Sequence, residues 1–371
     1  LLNQIWSVSA KTLHLCLQSL VWDGIKRDRL VWMGDLYVEL ISCAALYGKQ
    51  KVIEQSLDFV RDETPIPKYM NNIWVYSIWW ILAQDHWFRC FGDLKYLEQQ
   101  KSYLRELLRH FSENMDENGL QKGHTTALLD WASENKTDTL PGAHAILLLA
   151  FRAGKKLCLI LNDSETAQIC ADAADRMTHL EFPVTESMAG NAFQVLAGWK
   201  DAEQMYQEVF AKVLPRKLST FLGCFTLDAC AKGNHRREAL CFLRNYWGGM
   251  IHLGATSFWE HFDVDWLKNS ARIDERVPEG KIDIHKNYGS LCFKGFRNSF
   301  CHGWASLPGE WLLRNILGVS FLDSKTIAFA PDLCGLRFAK GKIPTAQGPI
   351  VVNLEKGKQK IHVPEGFQIQ K

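Results

Sequence analysis

Lys101-Ser102-Tyr103-Leu104-Arg105-Glu106-Leu107-Leu108-Arg109-His110-Phe111 decides the class of this chain. Tyr103, Leu104, Leu107, Leu108 and Phe111 recur three and four apart, with Lys101, Arg105, Glu106 and Arg109 between them, and that is the stripe of an amphipathic helix. Working outward, similar patterns cover 1–20, 36–62, 72–91, 94–117, 140–161, 164–179, 187–197, 200–213, 217–232, 235–250 and 308–318. The loops between them are rich in Gly, Pro, Asp and Asn. About a dozen helices without a repeated solenoid motif could stack openly or close on themselves; a mainly α, closed toroid of helical hairpins is the expectation. Its longer loops, 21–35, 119–139, 252–266 and 285–306, are expected to gather at one end and form a pocket.

From about Ser324 the pattern changes to short β-like runs, Thr326–Phe329, Gly335–Phe338, Ile350–Asn353 and Lys360–Val363, broken by Pro and Gly. This predicts a helical domain over 1–323 and a small antiparallel β segment over 324–371. So small a sheet needs a neighbouring surface to pack on.

The 371 residues are 47% hydrophobic and 23% charged, enough for a large core. With 43 basic and 41 acidic residues the formal charge is +2, which gives no general pull toward nucleic acid or an anionic membrane. No apolar run reaches the ~20 residues that span a bilayer, so no membrane partner is expected. The chain opens without Met, directly in a helical pattern, and reads as a piece of a longer protein. Its eleven cysteines, an odd count without a CxxC pair, read as buried free thiols. That count leans against an oxidised secreted scaffold, yet periplasmic, extracellular and cytoplasmic placements all remain open. No His or carboxylate spacing calls for a metal, no Gly-rich phosphate loop is present, and no cofactor is expected.

The chemistry lies in two acidic segments far apart in the chain: Asp23-Gly-Ile-Lys-Arg27-Asp28-Arg29-Leu-Val-Trp32-Met-Gly-Asp35 and Gly254-Ala-Thr-Ser-Phe-Trp259-Glu260-His-Phe-Asp263. Cleaving a glycosidic bond takes one carboxyl to protonate the leaving oxygen and a second on the opposite face of the sugar. Both segments set tryptophan beside carboxylates, and an indole face beside hydrogen-bonding acids suits a pyranose. Taken alone, the first could equally be a charged helix cap, and Asp130 could bind sugar or cap a helix. Trp74, Trp79, Trp80 and Trp87 lie at helical spacing and read as core. The loop residues Trp32, Trp131, Trp247, Trp259 and Trp304 are the candidate sugar platforms.

At these residues the chain resembles the catalytic region of the α-L-rhamnosidases of glycoside hydrolase family 78. A third matching motif is Cys301-His302-Gly-Trp304-Ala-Ser-Leu-Pro308, and Pro344–Val352 is similar to the start of the C-terminal β-sandwich that follows the barrel in that family. The resemblance implies an (α/α)6 barrel and an inverting exo-glycosidase that releases terminal α-L-rhamnose from a glycan or glycoside. Asp28 would be the general acid and Glu260 the general base. Asp23, Arg27, Trp32, Asp35, Asp130, Trp131, Trp247, Trp259, His302 and Trp304 would bind the sugar. Many members carry Glu in the slot filled by Asp28, so the proton is retracted here by about 1.5 Å, one bond length. Another six-hairpin glycosidase with a different sugar, or an inactive carbohydrate-binding homologue, are the alternatives.

Overall fold

The computed structural model describes residues 1–131, 137–290 and 293–370. Helices α1 (Leu2–Cys16), α2 (Met33–Leu46), α3 (Lys51–Asp62), α4 (Trp74–Phe91), α5 (Leu94–Glu113), α6 (Leu140–Ile160), α7 (Ser164–Thr178) and α8 (Met188–Ala197) follow in order. Then come α9 (Ala202–Met205) with a π-helical turn and α10 (Ala211–Val213), α11 (Gly223–Lys232), α12 (Arg236–His252), the short α13 (Ile284–Asn287) and α14 (Pro308–Asn315). The stretch expected as one helix over 36–62 is two, because Gly48, at φ +75°, ends α2 in the left-handed region that glycine enters without steric cost.

The two kinds of helix differ in sequence for a physical reason. On α5 one face is buried through Leu97, Leu104, Leu107, Leu108 and Phe111, and Asp93 caps its start by accepting from Tyr96 N at 3.0 Å. On α4 nearly the whole circumference is buried, Trp79 and Trp80 included, so its sequence is apolar on all sides. Packing explains this: α2, α4, α6, α8, α11 and α14 contact one another in turn, and α14 returns to α2. They form the closed inner ring of an (α/α)6 barrel, with α1, α3, α5, α7, α9 and α12 outside it.

Trp74, Trp79, Trp80 and Trp87 are all core residues, as expected. Tyr37 stacks on Trp79 at 4.8 Å, and with Phe193 and Phe225 these rings fill the middle of the barrel. Trp79→Ala should therefore cost about 3–5 kcal/mol of unfolding free energy, read from denaturant titrations.

The β region begins earlier than residue 324. Strand β1 (Val319–Phe321) pairs antiparallel with β2 (Thr326–Phe329), and β2 pairs parallel with β6 (Gln368–Gln370). A second sheet, β3 (Phe338–Ile343), β4 (Ile350–Glu355) and β5 (Lys358–His362), is antiparallel throughout. The expectation of an antiparallel segment thus fails at β6, which returns to the first sheet only after the β3–β5 excursion; a parallel pair needs such a long connection. Ile327, Ile343, Ile350, Val352 and Leu354 pack with Leu313 and Leu317, which anchors the β region to the end of α14.

Among the described cysteines, Cys241 is exposed, Cys334 is partly exposed and the others are buried, all as free thiols; Cys292 lies outside the described residues. Among the described residues no helix is long and apolar enough to cross a membrane.

Candidate active site

The segments that lead from each outer helix into the next inner one collect at the N-terminal end of the ring, and described residues of all four long loops named above meet there. The first carries a tight turn. Asp23 Oδ1 accepts from Leu30 N at 2.9 Å, while Asp28 and Arg29 take left-handed φ values of 56° and 52°. Aspartate enters that region more readily than most residues, so the short acid suits this turn. Its carboxyl reaches the surface, with its side chain 36% exposed.

The second acid sits on a different support. Residues 258–260 pair with 299–302 through Glu260 N to Ser299 O (2.8 Å) and His302 N to Phe258 O (3.0 Å). Ser299 N donates to Glu260 Oε2 at 2.9 Å, and Trp304 Nε1 donates to the Glu260 carbonyl at 3.1 Å. Glu260 is 4% exposed.

Arg27 joins the two acids. Its Nη2 forms an ion pair with Glu260 Oε1, and its Nη1 lies 3.5 Å from Asp28 Oδ2. Its Nε donates to Arg297 O at 3.0 Å, and Lys26 Nζ donates to Asn298 O at 2.9 Å, so adjacent cations lace the first loop to the last. Beneath them, His302 Nε2 lies 3.6 Å from Asp23 Oδ2 and 3.7 Å from Glu260 Oε1, and Nδ1 lies 3.6 Å from Asp35 Oδ1. Asp35 occupies the first turn of α2.

Burial governs how these groups titrate. It pushes Asp23 up to about 7 against the pull of the Leu30 N–H, and raises Asp35 well above the carboxylate range with the Asp23 charge adding to it. Glu260 is also raised by burial, though Arg27 and the Ser299 N–H offset part of that. His302 is lowered, first by burial and then by Arg27, and is neutral. Acids that keep protons beside a neutral imidazole can both donate to and accept from sugar hydroxyls.

These shifts also set a stability slope. An acid raised on folding stabilises fully below its unfolded value and loses that contribution as pH rises through the folded one. Buried histidines lowered on folding, His302 among them, pull the opposite way, so the contribution of Asp23 is read by difference: relative to the unmodified protein, Asp23→Asn should melt several degrees less favourably near about pH 5 than near about pH 8.

With this geometry, comparisons with known proteins are informative. Residues 1–180 match the family described as the bacterial alpha-L-rhamnosidase six-hairpin glycosidase domain. The chain superposes over 99% of its own length on the GH78 rhamnosidase of Bacillus sp. GL1 (TM-score 0.79, 24% identity) and covers 41% of that protein. The same share superposes on Streptomyces avermitilis α-L-rhamnosidase complexed with L-rhamnose (0.74, 17%, covering 37% of it) and on Aspergillus terreus α-L-rhamnosidase (0.74, 16%, covering 46%). The fold is that of the six-hairpin α-L-rhamnosidases. The chain spans less than half the length of these three proteins. No curated protein sequence matches it significantly.

Within this rhamnosidase fold the aromatic expectations divide. Trp32 and Trp131 meet edge to face with centroids 6.1 Å apart, and both are partly exposed. Trp131 Nε1 donates to Tyr76 Oη at 3.0 Å, and Trp32 lies edge-on to Tyr76. Asp130 is buried beside them. Burial raises the Tyr76 and Tyr246 hydroxyls, and the Asp130 charge adds to both. Among the described residues, the next helix after Asp130 is α6, which starts at Leu140.

Trp247 and Trp259 are not platforms: both are fully buried. Trp259 precedes Glu260 on an extended segment, where neighbouring side chains face opposite ways, so its ring enters the cluster of Phe262, Trp266 and Phe300. Trp247 belongs to the outer helix α12 and packs against Gly223 and Tyr246. Trp304 is also buried, stacked on Phe221 at 4.8 Å, and supports Glu260 through the backbone.

Two participants escaped the sequence reading. Ser299 holds Glu260 only through its backbone N–H and carbonyl, which its side chain does not announce. Tyr76 sits in the apolar run of α4, where nothing separates it from the core aromatics around it.

Proposed function

We propose that this chain is the catalytic region of an α-L-rhamnosidase that hydrolyses terminal α-L-rhamnosides of glycans or glycosides with inversion. Residues 1 to 318 form the catalytic barrel, and the strands from β1 (Val319–Phe321) onward form part of a C-terminal β-sandwich. The observation that carries the reading is one guanidinium, Arg27, contacting both Asp28 and Glu260 directly above the Asp23–His302–Asp35 cluster.

In this reading the buried cluster holds the ring hydroxyls, while the Trp32–Trp131–Tyr76 corner takes the apolar face and the 6-methyl group. Asp28, at the solvent-facing turn, protonates the glycosidic oxygen where the leaving group exits. Glu260 draws a proton from water attacking the anomeric carbon from the other side. An inverting pair stands about 6.5–9.5 Å apart to admit that water. Arg27 offsets part of the burial that raises Glu260, which favours the carboxylate a base needs, and yields to substrate.

A panel of aryl glycosides tests this directly. Release from the α-L-rhamnoside, with little from the α-L-fucoside, β-D-glucoside or α-D-mannoside, is expected. Hydrolysis of a different sugar would reassign the barrel's specificity, and binding of L-rhamnose without turnover on any substrate would identify a carbohydrate-binding homologue.

A further inference from the structure

Glu39 lies one helical turn below Asp35 on the same face of α2, wholly buried at 1% exposure. It touches no solvent and stands outside the set of acids discussed above. Among the described residues its Oε1 has no hydrogen-bond partner, an arrangement that costs stability and needs a reason. The reason lies in what it presses against. A Cβ built on Gly303 would fall inside the Glu39 carboxyl, with Cδ at 2.5 Å and Cγ at 3.0 Å.

Gly303 does not have a left-handed backbone, so its conformation does not call for glycine. Room does: the Glu39 carboxyl fills the space that any side chain at 303 would occupy. Gly303 immediately follows His302 and donates its N–H to Asp23 O at 2.7 Å. The Glu39 carboxyl thus forms the floor under the peptide that follows His302 and ties it to the Asp23 backbone. Burial, with the charges of Asp35 and Asp23 adding to it, raises the Glu39 carboxyl well above the ordinary glutamate range.

We propose that Glu39 is a positioning residue for the rhamnoside site, acting through a carboxyl-on-glycine contact with Gly303 that sets the depth and direction of the His302 imidazole. The proposal rests on the functional reading above, and its test separates the two. Glu39→Gln keeps both shape and neutrality and should leave kcat and KM nearly unchanged. Glu39→Ala removes the floor and should raise KM, because His302 and its partners hold the sugar.

Gly303→Ala forces the His302 peptide off its support. A displacement near 1 Å at such a site costs about 100-fold in kcat/KM. In the Glu39→Ala background the same methyl finds space, so the Gly303→Ala penalty should shrink sharply, a non-additivity expected only of residues in contact.

The His302 ring resonances, assigned by their loss in His302→Ala, supply a readout independent of turnover. They should move in Glu39→Ala and Gly303→Ala and stay in place in Glu39→Gln. Additive penalties, or a lowered melting temperature in Glu39→Ala with unmoved His302 resonances and unchanged KM, would overturn the proposal. If Gly303→Ala does not fold, the Glu39→Gln and Glu39→Ala pair decides. A wild-type protein that releases no rhamnose defeats the functional reading, while the His302 resonances still decide the positioning role.

Discussion

Glu260→Gln is expected to lower kcat for an α-L-rhamnoside by about 10²–10⁴-fold, the range supplied by a positioned general base. Gln keeps the volume and can still accept from Ser299 N, so the fold and the affinity for L-rhamnose should survive. The pair of measurements, turnover and sugar binding by calorimetry, separates lost chemistry from lost structure. Azide sharpens the test. It attacks without needing a base, so it should restore turnover in Glu260→Gln and give the β-rhamnosyl azide. In the unmodified protein the acid limb of kcat/KM reports the ionisation of Glu260 and should lie above the ordinary glutamate range, because burial outweighs Arg27.

Asp28→Asn should show its effect through the leaving group. An alkyl rhamnoside needs a proton on the departing oxygen, so its kcat/KM should fall by about 10²–10⁴-fold. A dinitrophenyl rhamnoside departs as a stable anion and should lose far less. Asp23→Asn should instead weaken both substrates alike, since the role proposed for Asp23 is to hold sugar hydroxyls in either case. If Asn at 23 gave the leaving-group dependence and Asn at 28 did not, the acid would be the buried Asp23, whose proton burial retains up to about pH 7. Asp28→Glu adds about one bond length of reach, ~1.5 Å, and should retain activity despite the left-handed turn.

The outer helices were the most legible part of the fold. One face of α5 is wet and the other dry, so its sequence carries a period. The inner helices are dry on nearly all sides, and there the period fades into the aromatic run of α4. That run also concealed Tyr76. The break at Gly48 was hidden because the apolar pattern continues across it, and the parallel β2–β6 pair depends on long-range topology that short runs of alternation do not encode.

In the site, charge was easier to read than aromaticity. A carboxylate in a loop has few structural uses, so Asp23, Asp28, Asp35 and Glu260 stood out and the structure brings them around Arg27 and His302. A tryptophan has many uses. Trp259 and Trp247 stand beside motif residues in the sequence, yet one faces away from Glu260 along an extended segment and the other fills an outer-helix contact. Glu39 stayed unread for another reason: its significance lies in a glycine 264 positions away, which only the packed barrel brings onto its carboxyl.

The most direct test is to follow the hydrolysis of an aryl α-L-rhamnoside by proton NMR and identify the first anomer of L-rhamnose released, before mutarotation. The Asp28–Glu260 account predicts β-L-rhamnose first, from water entering opposite the leaving group. The α-anomer first would mean double displacement through a covalent intermediate and would contradict the assignment of Glu260 as a base.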